Sequence, residues 1–327
     1  MQYHDANSRY AANTSPHVGI GQRMLVILEA LRPRQWTKNC AVIIGLVFAQ
    51  QLFDLQALER AALAFVIFCL ASSSTYLFND LLDLEKDRRH PLKCKRPLAS
   101  GRLPIPWARV AIGALLVVDG GLIVLLYQLP IPKHDMFAAL GGTNLCFTLI
   151  IGGYVFLMML YSIRLKHIVL IDVFVIASGF LLRIMAGAVV IPVSISPWLY
   201  LVTSFLSLFL AFSKRRHELV LLQKDAGNHR QILKEYSVPM LDQMITVTAT
   251  ATLISYSLYT LEGHTGHQRL LVTIPFVLYG MFRYLYLVYI RMEGGSPEEI
   301  LLRDRHMLGA VLLCAIAVGV VLYLLPQ

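Results

Sequence analysis

The stretch Asn79-Asp80-Leu81-Leu82-Asp83-Leu84-Glu85-Lys86-Asp87 spaces three aspartates as DxxDxxxD. Wound as a helix at about 100° per residue with Asp80 at 0°, it puts Asp83 near −60°, Asp87 near −20° and Asn79 near −100°. Four oxygen-bearing side chains then share an arc of about 100°, whereas Glu85 falls near +140°, on the far side. Three carboxylates on one face repel one another, so the arrangement is costly without a cation. Hard divalent cations favour oxygen ligands, and Mg²⁺ is usually held by a few carboxylates together with substrate phosphates. The face therefore predicts a Mg²⁺–diphosphate site with Asn79, Asp80, Asp83 and Asp87 as ligands and the three aspartates as the catalytic set. The competing reading is a solvated acidic helix end neutralised by Lys86, Arg88 and Arg89. The run from Arg88 to Gly101 holds five basic residues, Arg96 among them. Carboxylates beside a basic run suit a phosphate-rich ligand bridged by metal.

These residues must be carried by a membrane. The chain has 327 residues, 57% of them apolar and only 15% charged, with mean hydropathy +0.61. A soluble domain averages about 25% charged residues, so an ordinary soluble enzyme is excluded. Five scattered cysteines show no spacing for zinc or a structural disulfide. The net charge of +9 points to anionic headgroups and anionic substrates before nucleic acid. Nine apolar runs approach the roughly 20 residues that a bilayer requires: about 39–54, 57–79, 108–129, 137–160, 168–191, 197–213, 244–261, 270–290 and 307–325. Gln50 and Gln51 interrupt the first. Apolar continuity favours helices, since a membrane barrel would alternate. With the N-terminus inside, 23 Lys and Arg lie on the cytoplasmic side; only Arg60, Lys133 and Arg269 lie on the other, and Arg109, Arg183 and Arg283 fall within spans. That asymmetry predicts nine transmembrane helices, N-terminus cytoplasmic. The first 19 residues are polar, lack a signal-peptide apolar region and read as a disordered tail. Residues 20–327 read as one transmembrane domain, opened by an interfacial amphipathic helix over about 20–34.

Further cations deserve a role. Lys38, at the start of the first span, either reaches a phosphate or anchors the membrane edge. Lys214 and Arg215 end the sixth span on the side of the acidic face and can clamp a polyanion. Arg183 is an intramembrane arginine and needs a partner. It either pairs with Asp119 at similar depth or faces the cavity and holds a lipid phosphate. It shares a helix face with Asp172, about 16 Å away along the axis.

Asn79–Asp87 followed by Arg96-Pro97-Leu98-Ala99-Ser100-Gly101 resembles the UbiA superfamily of intramembrane prenyltransferases. Several segments resemble one branch of it, the decaprenyl-phosphate phosphoribosyltransferases. They are Arg32–Asn39, Tyr161–His167 leading to Asp172, Ser213–Leu219, Glu235–Ser237, Tyr279–Tyr284 and Gly294–Glu299. The resemblance covers about 22–325. It implies a nine-helix bundle with a central cavity open toward the membrane and an acidic motif binding Mg²⁺ and a diphosphate. It also implies a multi-pass protein of the plasma (inner) membrane with its active site on the cytoplasmic side. It adds Tyr161, Lys166 and Asp172 as substrate-binding candidates. The superfamily's aromatic prenyltransferases carry a second aspartate pair where this chain has Asp172 and then Ile176, and their Tyr–Lys pair lies one turn apart rather than five residues. The implied reaction moves 5-phosphoribose from 5-phosphoribosyl-1-diphosphate to a polyprenyl phosphate, for lipid-linked arabinose and cell-envelope glycan. The alternatives are prenyl transfer to an aromatic acceptor, and a transporter or scaffold with a cytoplasmic metal site.

Overall fold

The computed structural model describes residues 20–132, 135–194, 196–222, 231–262 and 267–324; side chains at 20–23, 222, 231, 262, 267 and 268 are outside the description. The expected disordered tail, 1–19, lies outside the described residues. Among those described, secondary structure is helical throughout. An apolar chain in lipid has to satisfy its backbone internally, and a helix does so within each segment.

The order runs α1 (Ile20–Ala30), α2 (Ala41–Phe48), α3 (Leu55–Leu82), α4 (Leu84–Arg89), α5 (Ile105–Gln128), α6 (Thr143–Ile163), α7 (Ile171–Val190), α8 (Pro197–Leu222), α9 (Val238–Glu262), α10 (Ile274–Tyr289), α11 (Pro297–Arg303) and α12 (Arg305–Gly319). Starts follow local chemistry. The Asp54 side chain caps α3 by accepting from the Gln56 and Ala57 amides at 3.0 and 3.2 Å. Proline sits in the first turns of α5, α10 and α11, where its missing N–H leaves no bond unmade.

Among the described residues, eight helices are long and apolar enough to cross a membrane, and α2 is not one of them. The expected first span is built instead as a 3₁₀ segment, Pro33–Cys40, running into the eight residues of α2. The α part is only about 12 Å long. It ends because Gln50 takes φ 55°, a left-handed conformation that terminates helices. The interfacial helix likewise stops at Ala30, short of 34. The sequence pattern carried it into the 3₁₀ stretch because Leu31 continues the apolar stripe, but Arg32 is left-handed, with φ 56°.

Helices α3 and α7 are the most enclosed, whereas α5 and α6 turn most of their surface outward. Val117, Val124, Leu149 and Phe156 are each more than half exposed, as residues facing lipid would be. The first core joins α2, α3, α6 and α7 through Val42, Leu46, Ala64, Phe68, Tyr154 and Ala186. Here α2 crosses α7 so closely that a Cβ on Gly187 would stand 1.9 Å from the Val42 carbonyl oxygen, so only glycine fits. A second core joins α7 to α8, α9 and α10.

Arg60, expected in the outer loops, is fully buried near the start of α3. It donates to the carbonyls of Val190 (2.7 Å), Leu129 (3.0 Å) and Leu126 (3.3 Å) and to the Asn144 amide oxygen. One guanidinium thus closes the C-terminal ends of α5 and α7, where orphan carbonyls and the helix dipole both favour a cation.

Candidate active site

The acidic motif is not one continuous helix. α3 stops at Leu82 and α4 starts at Leu84, with Asp83 between them at φ −95°, ψ 9°. The Asp83 amide still bonds the Asn79 carbonyl (3.0 Å) and the Asp87 amide the Asp83 carbonyl (2.8 Å). The kink therefore keeps the spacing that gathers the acids. Asn79, Asp83 and Asp87 line a cavity of about 900 Å³. Asp80 sits just behind that rim, buried. Glu85 points away and pairs with Arg88 at the surface.

Every acid in the motif faces a cation. Arg96 Nη1 lies 3.0 Å from Asp80 Oδ1 and 2.6 Å from Asp87 Oδ2. Lys166 Nζ lies 2.7 Å from Asp83 Oδ2 and 3.2 Å from Asn79 Oδ1. Arg32 Nη2 bonds both oxygens of Asp80, at 2.7 Å to Oδ2. The left-handed backbone of Arg32, ahead of Pro33, aims that guanidinium at α3. Such a conformation costs about 1–3 kcal/mol and needs surrounding structure to hold it. Burial pushes the Asp87 carboxyl above its ordinary value, against the pull of Arg96.

The residues suit a divalent cation by their chemistry. Each bridging nitrogen, on Arg96 and on Lys166, marks a point where oxygens from two side chains converge, and all four donors are hard. With those cations in place, no three or more His, Cys, Asp or Glu among the described residues stand close enough to hold a metal ion.

The same cavity is lined by a second set of cations, Lys38, Lys214 and Arg183. Arg183 does not pair with Asp119. It donates to Asn39 Oδ1 (2.7 Å), the Gly179 carbonyl (2.7 Å) and the Tyr154 hydroxyl (2.8 Å), and its guanidinium lies 4.7 Å from the Tyr154 ring centre. Neutral partners take one hydrogen bond from each of its three nitrogens and leave its charge uncompensated by any carboxylate among the described residues. Asp119 is buried elsewhere on α5 with Oδ1 unpartnered. Lys38 bonds the Gln35 amide oxygen and lies 3.6 Å from Glu298; burial lowers its pKa, which Glu298 partly opposes.

Of the expected substrate residues, Lys38, Arg96, Tyr161, Lys166, Arg183 and Lys214 all line the cavity. Asp172 and Arg215 do not. They form a buried ion pair at 2.7 Å, closed by the Tyr236 hydroxyl, which donates to Asp172 (2.9 Å) while accepting from the Leu170 amide (2.9 Å). Arg215 also reaches Glu218 at 2.6 Å. The pair ties α7 to α8 and leaves Asp172 committed to protein partners. Residues not expected from the sequence complete the wall: Arg32, Tyr76, Tyr284 and Glu298. Arg32, Tyr284 and Glu298 do stand inside segments that carried the resemblance, and that was the available signal.

The matching family model is the UbiA prenyltransferase family, over residues 40–297. A relative from Corynebacterium glutamicum, called decaprenyl-phosphate phosphoribosyltransferase, is 34% identical over 308 residues, 92% of this chain and 88% of its own length. One of the same description from Mycolicibacterium smegmatis is 33% identical over 299 residues, 85% of this chain and 86% of its own. In fold, a UbiA homolog from Archaeoglobus fulgidus, solved bound to GPP and Mg²⁺, superposes with a TM-score of 0.64 at 18% identity, over 90% of this chain and 99% of that one. From its acidic rim to its helical frame, this chain belongs to the UbiA prenyltransferase family.

Proposed function

We propose that this protein transfers 5-phosphoribose from 5-phosphoribosyl-1-diphosphate to a polyprenyl phosphate, at the cytoplasmic face of the plasma membrane. The observation that carries this reading is one cavity lined by two sets of cations. Arg96 and Lys166 are paired with the acids of the motif, and Lys38, Lys214 and Arg183 line the same cavity apart from those ion pairs. A reaction between two phosphate-bearing substrates uses both sets, whereas a neutral aromatic acceptor needs one. The names of the relatives support the same chemistry. The ion pair that occupies Asp172 argues against a second prenyl-diphosphate motif there.

In this reading Asn79, Asp80, Asp83 and Asp87 would hold Mg²⁺, which when bound screens the donor diphosphate and stabilises charge on the leaving group. Arg96 and Lys166, now bonded to the acids, turn their N–H groups to donor oxygens as those acids are taken up. Lys38, Lys214 and Arg183 hold the remaining phosphates against C1. An oxygen of the lipid phosphate attacks C1, and the bond from C1 to the diphosphate oxygen breaks. The acceptor phosphate is largely ionised at neutral pH, so no strong general base is required. Ile176, Phe180, Leu206 and Leu210 line the same cavity. They make room for an isoprenoid and exclude the water that would otherwise hydrolyse the donor.

The test is transfer by purified protein in detergent, with the donor labelled in its ribose and Asp83→Asn run in parallel. Mg²⁺-dependent label in the lipid phase, lost in the variant, is expected. Activity only on a prenyl diphosphate with an aromatic acceptor would overturn the reading.

A further inference from the structure

The cavity wall holds, apart from the acidic motif, a carboxylate with no evident work. Glu298, in the first turn of α11, lines the cavity, and its side chain is only 11% exposed. Its Oε1 accepts from Gln35 Nε2 at 2.7 Å. Its Oε2 is buried and has no hydrogen-bond partner among the described residues. Tyr284 on α10 lines the same cavity, is 2% exposed, and its hydroxyl is likewise unpartnered. Lys38 and the buried amides around it hold Glu298 ionised, below its ordinary pKa despite burial.

A carboxylate is an odd lining for a cavity that takes polyanions. It repels phosphate, and among the described residues no cluster that could hold a metal includes it. A buried acceptor with an empty lone pair costs about 1–3 kcal/mol, more if charged, so it is retained where something donates to it. Of the groups on the two substrates proposed above, phosphates and the isoprenoid chain donate nothing. The ribose 2- and 3-hydroxyls do. A Tyr hydroxyl beside them can donate back to a ribose oxygen or accept a second proton.

We propose that Glu298 Oε2 and the Tyr284 hydroxyl read the ribose hydroxyls of the donor, and so distinguish a phosphoribosyl diphosphate from a prenyl diphosphate at a shared diphosphate site. The inference rests on the phosphoribosyl reading and deepens it. Glu298 is a specificity determinant here; the reacting atoms are elsewhere. A prenyl donor leaves Oε2 and the tyrosine unpaired, and a site built to bond a hydroxyl rejects ligands that lack it.

The test compares the donor with its 2,3-dideoxy analogue as a competitive inhibitor, because an inhibition constant does not depend on the reactivity of C1. Wild type should bind the dideoxy analogue about 100-fold more weakly than the ribose donor, the scale of one or two hydrogen bonds to a charged group. Glu298→Gln should weaken the ribose donor about 10- to 100-fold and leave the dideoxy analogue within about threefold. Tyr284→Phe should give a smaller loss of the same pattern, and the KM for polyprenyl phosphate should hold in both. Wild type that binds both donors equally would overturn the proposal without any variant. So would a Glu298→Gln protein that loses both equally, since Glu298 would then act only by placing Lys38. Wild type that transfers no ribose but does transfer a prenyl group would overturn the phosphoribosyl reading itself, and this assignment with it.

Discussion

Replacing Arg60 by methionine removes a donor set that closes the C-terminal ends of α5 and α7. The guanidinium is fully buried and serves three carbonyls, those of Val190, Leu126 and Leu129, together with Asn144. Methionine fills much of the space and donates nothing. The Leu126 carbonyl keeps the Leu129 amide at 3.2 Å, but each of the other acceptors, stranded in a buried site, costs about 1–3 kcal/mol, and the favourable charge–dipole contact at two helix ends adds up to about 2 kcal/mol. Relief from no longer burying a cation returns several kcal/mol. The balance is a loss of about 3–5 kcal/mol, in line with removing one partner from a buried charged network. At about 2–4 °C per kcal/mol for a large domain, thermal unfolding in detergent should shift down by roughly 10 °C. Arg60→Lys keeps the charge but not the planar fork, and should fall between the two. Arg60 and Asp80 are 20 residues apart on one helix, about 30 Å. The folded fraction should therefore retain the donor KM of wild type. A methionine variant that melts within about 2 °C of wild type would refute the account of Arg60 as the staple of α5 and α7.

Asp83→Asn should abolish transfer while leaving the melting temperature close to wild type, because Lys166 keeps Asn79 and an amide oxygen as partners; a variant retaining full turnover would remove Asp83 from the site. Asp119→Leu should stabilise by about 1 kcal/mol, since it deletes a buried oxygen without a partner; a loss of yield would show that Asp119 pairs after all. Arg215→Met alone should depress yield sharply, and adding Asp172→Leu should restore part of it with a coupling above about 1 kcal/mol; additive losses would argue against the ion pair. Lys38, whose pKa is lowered chiefly by burial, loses its positive charge earlier as pH rises than an exposed lysine does. Donor affinity should therefore weaken on the alkaline side and hold at lower pH, and Lys38→Arg, which stays charged, should move that alkaline limb upward. An unmoved limb would clear Lys38 of any part in donor binding.

What the sequence determined alone were features that repeat along one segment. Apolar runs of membrane length, the lopsided distribution of Lys and Arg and the helical phase of Asn79, Asp80, Asp83 and Asp87 are all local, and local periodicity survives folding. That the first apolar run is a 3₁₀ segment and a short helix, bounded by left-handed Arg32 and Gln50, is set by backbone conformation that an apolar run does not encode. The partnerships were decided by the tertiary structure, because they join residues far apart in the chain. Arg183 meets Asn39 at a separation of 144 residues, so the choice between Asp119 and a lipid phosphate was not open to arithmetic along one helix. Asp172 meets Arg215 43 residues on, which turns two expected substrate ligands into a strut. Arg32 meets Asp80, and Gln35 meets Glu298 263 residues away. A charge announces itself in sequence, but whether it is spent on a neighbour or left facing a cavity depends on which helices pack beside it.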